Sequence, residues 1–291
     1  MTPPSGPFSA ALGTQRPVVE PRRPAIRRLK RAPGPFATRP AIVAHRGFGR
    51  GETDDGIREN TLPAFREGVR CGVNWLEVDV RRSSDDVLFV IHHPTMDDGT
   101  FLIDRTAAQI RAAGVLALDD LLAGIPSDVG IVYDVKTSLE DALRPPELTT
   151  AGLLLPVVAR ERDRRPQLVT SFDPAGLLLV GERLPGVPRG LLSWLSFPLR
   201  KAIPAAAQLG LEVVSVHWKS FAANATDPAP QHREESYSVD IAHRAGLQVV
   251  AWCPTLERGK ELLAAGVDAL IVDDVPGALA MALDGFEQSL V

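Results

Sequence analysis

The sequence has few cysteines, no long apolar run and no overall excess of basic residues. Its 291 residues include two cysteines, Cys71 and Cys253, which excludes a disulfide scaffold. One bridge is formally possible, but two reduced thiols in a reducing compartment are expected. No apolar run reaches the ~18–20 residues that span a bilayer, and a formal net charge of −4 does not suit nucleic-acid binding. These absences favour a cytoplasmic globular protein without a nucleic-acid partner.

The first 39 residues differ in composition from the rest of the chain. They hold eight prolines, eight basic residues and one acidic residue. Such a segment buries too little apolar surface to offset its ordering entropy, so a disordered arm is predicted over 1–39 and a folded domain over 40–291. No apolar segment of about 7–15 residues follows the basic ones, so we expect no signal peptide. Weak contact between the arm and anionic lipid stays open, and nothing indicates the oligomeric state.

From residue 40 onward, short runs rich in Val, Ile and Leu alternate with longer helical stretches. About 250 residues of this pattern is typical of a single α/β domain, a (β/α)8 TIM barrel. An open doubly wound sheet is the alternative, but the Gly-x-Gly-x-x-Gly loop typical of such folds is missing after the first strand. The predicted strands are 41–47, 75–81, 130–136, 167–172, 190–194, 212–218, 247–253 and 269–273, and an extra extended run covers 87–92.

Three carboxylates lie where two of the predicted strands end. Glu77 and Asp79 point to the same face of their strand because side chains alternate along a strand, and Asp134 ends the next predicted barrel strand. The carboxyl ends of parallel strands meet at one rim of a barrel, so the three groups can converge. Oxygen ligands of this kind suit Mg2+ or Ca2+ better than zinc.

Two histidines and two further cations lie at the same rim. His45 and His92 end neighbouring runs and suit general acid–base chemistry. Arg46 and Lys136 would attract an anionic substrate. Each feature alone also fits a structural role: a histidine at a strand end, an outward polar face, or an ion pair between Asp134 and Lys136. Their coincidence at one rim favours function, because inward charges in a barrel are costly unless paired or metal-bound.

A series of short motifs follows a fixed order along the chain: His45-Arg46-Gly47, Glu59-Asn60-Thr61, Leu76-Glu77-x-Asp79, Val90-Ile91-His92, Ser171-Phe172-Asp173, Ala251-Trp252 and Val272-Asp273. This order and spacing resembles the glycerophosphodiester phosphodiesterase family, from residue 41 to about 280. The resemblance implies a (β/α)8 barrel that hydrolyses a glycerophosphodiester to glycerol 3-phosphate and an alcohol. It also implies one divalent metal, Mg2+ or Ca2+, with Mn2+ as a further option.

The resemblance assigns roles to residues that match the family motifs. It implies metal binding by Glu77, Asp79 and Asp134 and acid–base roles for His45 and His92. The implied substrate and phosphate contacts are Arg46, Lys136, Glu59 and Trp252. Glu59 would orient the groups around the metal. Trp252 would lie near the substrate, and a buried core tryptophan is the alternative.

The sequence also departs from the family pattern. Asp134 stands where the family usually has Glu, His93 replaces the Asp that follows the second histidine, and an insertion over 48–58 lengthens the first loop. Aspartate at the third ligand position also resembles sphingomyelinase-D-like enzymes, which release cyclic phosphates from lysolipids. An apolar loop over 191–199 would favour such substrates. A barrel that binds a phosphoester without catalysis is the third alternative.

Overall fold

The computed structural model describes residues 34–37 and 40–288. Most of the predicted arm, residues 1–33 and 38–39, therefore lies outside the described residues, and its disorder stays a prediction. In the described part, no helix has the length and hydropathy needed to cross a membrane. Both cysteines are free.

The described residues form alternating strands and helices. The strands are β1 (Ala41–Ala44), β2 (Trp75–Arg82), β3 (Leu88–Val90), β4 (Gly130–Val135), β5 (Gln167–Ser171), β6 (Arg189–Leu192), β7 (Val213–His217), β8 (Gln248–Trp252) and β9 (Ala269–Val272). The helices are α1 (Leu62–Cys71), α2 (Ala107–Ala112), α3 (Leu118–Gly124), α4 (Thr150–Glu161), α5 (Pro174–Arg183), α6 (Leu199–Gln208), α7 (Glu235–Arg244), α8 (Leu256–Ala264) and α9 (Val275–Gln288).

Eight parallel strands close into a barrel, which confirms the predicted (β/α)8 architecture. Strand β1 pairs with both β2 and β9, with Val43 beside Trp75 and Ala44 beside Val272. The remaining neighbours follow chain order, while β3 lies outside the ring and pairs antiparallel with β2. All eight barrel strands overlap the predicted ones.

Local sequence signals explain how α1 begins and ends. The Thr61 hydroxyl accepts a hydrogen bond from the Ala64 N–H, and proline occupies the first turn, where its missing N–H costs nothing. Gly72 ends the helix with φ of 101°, a left-handed conformation that glycine adopts without a Cβ clash. The helix therefore starts next to the end of β1 and returns the chain to β2.

Some local features differ from what the sequence alone predicts. The predicted run to residue 92 ends as a strand at Val90, so His92 lies in the loop beyond it. Helix α6 contains Pro204 in its interior, a residue that normally interrupts a helix. Helix α4 likewise tolerates Pro156 because tertiary packing outweighs local propensity.

One residue of the predicted arm belongs to the barrel core. The Phe36 side chain is 2% exposed and packs against Trp75 with ring centroids 4.9 Å apart. Its backbone N–H and carbonyl bond the Gln248 side chain at 3.1 and 3.0 Å. Because Trp75 and Gln248 begin their strands, Phe36 covers the N-terminal end of the barrel. The prediction that the whole segment up to residue 39 is disordered is therefore wrong at this residue, since one aromatic ring and two buried hydrogen bonds anchor it.

Candidate active site

Three buried carboxylates meet at the C-terminal rim of the barrel. Glu77 and Asp79 come from β2, and Asp134 comes from β4, where it lies directly beside Asp79 in the strand register. An oxygen atom from each lies within 4.8 Å of the others. All three side chains are buried, so the structure brings together the three metal ligands predicted from the sequence.

Cationic and amide groups surround Asp79 and compensate its charge. The Lys136 Nζ lies 2.9 Å from Asp79 Oδ1 and also contacts Asp134 Oδ2. Arg46 Nε lies 3.3 Å from Asp79 Oδ2, and the Asn60 amide donates a hydrogen bond of 2.9 Å to the same oxygen. Burial raises the pKa of Asp79, but Lys136 and Arg46 outweigh it, and the pKa falls below its usual range.

The protein compensates the negative charges of Glu77 and Asp134 less completely than that of Asp79. Burial, followed by repulsion from Asp79 and Asp134, raises the pKa of Glu77. Burial also raises the pKa of Asp134, although Lys136 opposes this shift. Among the described residues, Asp134 Oδ1 is buried without a hydrogen-bond partner. Three clustered carboxylates with an unpaired buried oxygen fit a divalent cation of the hard, oxygen-binding kind.

His45 is held by an aspartate that sequence reasoning did not assign to the site. Its Nδ1 lies 2.7 Å from Asp273 Oδ1, and its Nε2 lies 3.9 Å from Glu77 Oε2. A carboxylate on one imidazole nitrogen fixes the ring and leaves the other free for proton transfer. The signal was present in the sequence, because closing the barrel pairs β1 with β9 and places the two residues that follow these strands side by side.

His92 lies on the loop after β3 and also borders the cavity. Burial lowers its pKa to about 3, with Asp79 opposing this shift and Arg46 reinforcing it. Its Nδ1 is buried and has no hydrogen-bond partner within the described ranges. The exposed His93 ring contacts it edge-on, with centroids 4.8 Å apart. His92 is therefore a neutral imidazole beside the carboxylate cluster.

Glu59 links the inserted loop to Arg46. The Arg46 guanidinium donates to Glu59 Oε1 at 2.9 Å, and the Gly51 N–H donates to Glu59 Oε2. Arg46 adopts a left-handed φ of 50°, which turns its own N–H toward Glu77 Oε2 at 3.0 Å. Glu59 therefore contacts Arg46 and the loop rather than the carboxylate cluster.

A cavity of about 110 Å³ connects these groups. Its lining residues include both histidines, Arg46, Lys136, Glu77 and Asp134, together with Phe172, Cys253 and Trp252. The Trp252 ring packs edge-on against His217, with centroids 4.4 Å apart. Trp252 thus borders the cavity with one side and supports the barrel rim with the other. The arrangement offers charge compensation for an anion and two imidazoles for proton transfer.

Comparisons with known proteins agree on one family. Residues 45–276 match the model described as the glycerophosphoryl diester phosphodiesterase family. A protein of Caldanaerobacter subterraneus subsp. tengcongensis named glycerophosphodiester phosphodiesterase is 25% identical over 252 residues, which are 80% of this chain and 93% of that protein. A Mycobacterium tuberculosis protein named probable glycerophosphodiester phosphodiesterase 2 is 31% identical over 106 residues, 33% of this chain and 38% of that protein.

Solved structures share the fold. An Oleispira antarctica phosphodiesterase in complex with the product sn-glycerol-3-phosphate superimposes with a TM-score of 0.70 at 18% identity, covering 86% of this chain and 99% of that one. A Galdieria sulphuraria protein described as a putative glycerophosphodiester phosphodiesterase gives a TM-score of 0.69 at 20% identity, covering 84% and 98%. At these identities the likeness establishes the barrel fold.

Proposed function

The chain belongs to the glycerophosphoryl diester phosphodiesterase family, and from that premise we propose that it cleaves glycerophosphodiesters to glycerol 3-phosphate and an alcohol with one divalent cation. The observation that carries the proposal is a cluster of three buried carboxylates, two of which line one cavity together with both histidines. The catalytic domain would cover residues 40–291, with Phe36 packed against its N-terminal end. A binding protein without catalysis would have no need of two imidazoles beside the charged cluster.

Glu77, Asp79 and Asp134 would hold the cation. Bound there, Mg2+ or Ca2+ would neutralise charge on the phosphate and in the transition state. The unpaired Oδ1 of Asp134 and the mutual repulsion of Glu77 with its neighbours support this assignment.

Arg46 and Lys136 would bind the phosphate. Both border the cavity, and both compensate the charge of Asp79. Glu59 restrains the Arg46 guanidinium, so this charged group is positioned before the substrate binds. A preorganised cation stabilises developing negative charge at little reorganisation cost.

The two histidines would transfer protons on opposite sides of the scissile bond. His92 is neutral, which is the form in which an imidazole accepts a proton from a nucleophilic hydroxyl. Asp273 stabilises a protonated His45 through Nδ1, which suits donation from Nε2 to the leaving alcohol. The nucleophile would be a neighbouring hydroxyl of the substrate, which gives a cyclic phosphate that water then opens.

The test is product analysis with defined substrates. Glycerophosphocholine, glycerophosphoethanolamine and lysophosphatidylcholine would be incubated with Mg2+, Ca2+, Mn2+ or excess chelator, and phosphorus NMR would resolve linear from cyclic products. The proposal expects metal-dependent release of glycerol 3-phosphate from the first two. Full turnover in chelator would contradict the metal role, and no turnover of any substrate would support the non-catalytic alternative.

A second candidate substrate class is lysolipids, supported by an apolar rim beside the cavity. Trp194 and Leu195, in the loop after β6, are 68% and 62% exposed. Trp194 stacks on the cavity residue Phe172, with ring centroids 4.4 Å apart, so the apolar surface is continuous with the site. Under this candidate Trp194→Ala lowers turnover of lysophosphatidylcholine and spares glycerophosphocholine. Equal turnover of the lysolipid by wild type and variant would contradict it.

A further inference from the structure

A second group of metal-binding atoms lies on the far side of His45 from the carboxylate cluster. His45 Nδ1, Cys253 Sγ and Asp273 Oδ1 lie within 4.8 Å of one another. The sulfur is 3.5 Å from the imidazole nitrogen, which is 2.7 Å from the carboxylate oxygen. These residues follow β1, β8 and β9, which are adjacent in the barrel, so rigid strands position all three.

The atoms and their spacing suit a soft divalent metal ion. Tetrahedral zinc with ordinary bond lengths places a thiolate sulfur about 3.5 Å from an imidazole nitrogen and a carboxylate oxygen about 3.3 Å from that nitrogen. The sulfur–nitrogen distance already matches. The nitrogen–oxygen distance of 2.7 Å is roughly 0.6 Å shorter than the zinc value, so Asp273 would have to move outward by about that amount. Nitrogen, sulfur and oxygen donors select Zn2+ or Cd2+, whereas the three carboxylates nearby select Mg2+ or Ca2+.

The backbone holds the cysteine in place and leaves it reachable. Cys253 has a left-handed φ of 53°, and its N–H donates to the Ile271 carbonyl at 2.8 Å. Its side chain borders the same cavity as His45. Arg50 contacts Asp273 with its Nε at 2.8 Å, but its side chain is 58% exposed. An exposed arginine can turn toward solvent when a cation binds.

We propose that His45, Cys253 and Asp273 form an inhibitory site for Zn2+ or a similar soft divalent ion. On binding, the Cys253 thiol releases its proton to solvent, and the protonated His45 of the proposed mechanism releases its Nδ1 proton to solvent and keeps the hydrogen on Nε2. The metal keeps its oxidation state. Nε2 then carries a hydrogen and lacks the lone pair that a base needs. Because the imidazole is neutral and metal-bound, it is also a poor proton donor. His45 therefore loses either acid–base role.

The inhibition rests on the proposed phosphodiesterase function, whereas the metal binding does not. Two measurements therefore separate them. The first is the near-ultraviolet absorption of a Cd2+–thiolate bond in the full-length protein titrated with Cd2+. The second is turnover of glycerophosphocholine at saturating Mg2+ as Zn2+ is added.

Matched variants identify the thiol, because the sequence contains one other cysteine. Cys71 is on α1 and borders a different part of the surface. We expect Cys253→Ala to lose the Cd2+ absorption and to raise the Zn2+ concentration for half-inhibition by roughly tenfold or more. Cys71→Ala should behave as wild type in both measurements. The inhibition of each variant is measured relative to its own zinc-free turnover, because Cys253 borders the active-site cavity.

Two results would overturn the site. One is a Cd2+–thiolate absorption that persists in Cys253→Ala or never forms in the wild type. The other is zinc inhibition that is unchanged in Cys253→Ala and is relieved by more Mg2+, which would place zinc at the carboxylate cluster. If no substrate is turned over, the proposed function fails, but the Cd2+ titration still decides whether the site exists.

Discussion

The two ends of the barrel bury opposite kinds of side chain: aromatic rings at one end and carboxylates at the other. At the N-terminal end, Phe36 and Trp75 fill the opening with aromatic rings, and the Gln248 side chain bonds the buried backbone N–H and carbonyl of Phe36. At the C-terminal end, Glu77 and Asp134 are buried with raised pKa values and incomplete pairing. One end stabilises the fold, and the other keeps charge buried at a cost in stability, as the proposed site for an ion and a substrate would require. Substitutions at the N-terminal end should therefore lower stability, and substitutions at the C-terminal end should lower turnover.

The histidines should show the largest effect at the C-terminal end. His45→Ala and His92→Ala should each lower kcat by roughly 10²–10⁴-fold, because each removes a group that would transfer a proton in the proposed mechanism. The melting temperature should change little, since neither ring is part of the barrel core. Steady-state kinetics on glycerophosphocholine with matched thermal melts would check this. Retention of more than half the activity by either variant would remove that residue from the mechanism.

Phe36→Ala should give the reverse result at the N-terminal end. Loss of a fully buried phenylalanine costs about 3–5 kcal/mol of unfolding free energy, while kcat of the folded protein should stay at the wild-type value. Two truncations sharpen this test. Removing residues 1–39 should cost at least as much stability as Phe36→Ala, and removing 1–33 should cost almost none, because the sequence predicts a disordered segment there. Chemical denaturation would measure all three, and equal stability of both truncations would contradict the anchoring role of Phe36.

Asp273→Asn should reduce turnover less than loss of either histidine. The amide keeps the shape but no longer stabilises a protonated His45, so kcat should fall roughly 10–100-fold. KM should change little, because Asp273 acts on His45 and not on the substrate in the proposed mechanism. A rise in KM with unchanged kcat would show that Asp273 binds substrate instead.

Glu77→Gln should give the smallest change in stability, and in the stabilising direction. The raised pKa of Glu77 means that its ionised form opposes folding: stability is fully present below the ordinary glutamate pKa and declines as pH rises through the folded value. Replacing the charge should therefore add on the order of 1 kcal/mol in metal-free buffer at neutral pH while activity is lost. Denaturation of the two proteins in chelator provides the comparison, and lower stability of the variant would show that Glu77 is adequately paired.

The sequence predicted the barrel and most of its rim because both depend on short-range patterns. Apolar runs located all eight barrel strands, and side-chain alternation placed Glu77 and Asp79 on one face. It did not find the role of Asp273, which arises from closure of the first strand against the last. Phe36 was missed because one aromatic residue in a proline- and arginine-rich stretch carries no periodic signal. The loop position of His92 depends on where β3 stops pairing with β2, which composition does not specify.

The central claim is that the carboxylate cluster binds the cation that turnover requires, and Asp134 tests it most directly. Its side chain is about 1.5 Å shorter than the glutamate usual in the family, so the identity of this residue should set the metal preference. The measurement is turnover against free Mg2+, Ca2+ and Mn2+ for wild type, Asp134→Glu and Asp134→Asn, with metal binding followed by calorimetry. Asp134→Asn should lose metal binding and metal-dependent turnover, while Asp134→Glu keeps activity with an altered order of metals. A wild-type metal curve in Asp134→Asn would contradict the account.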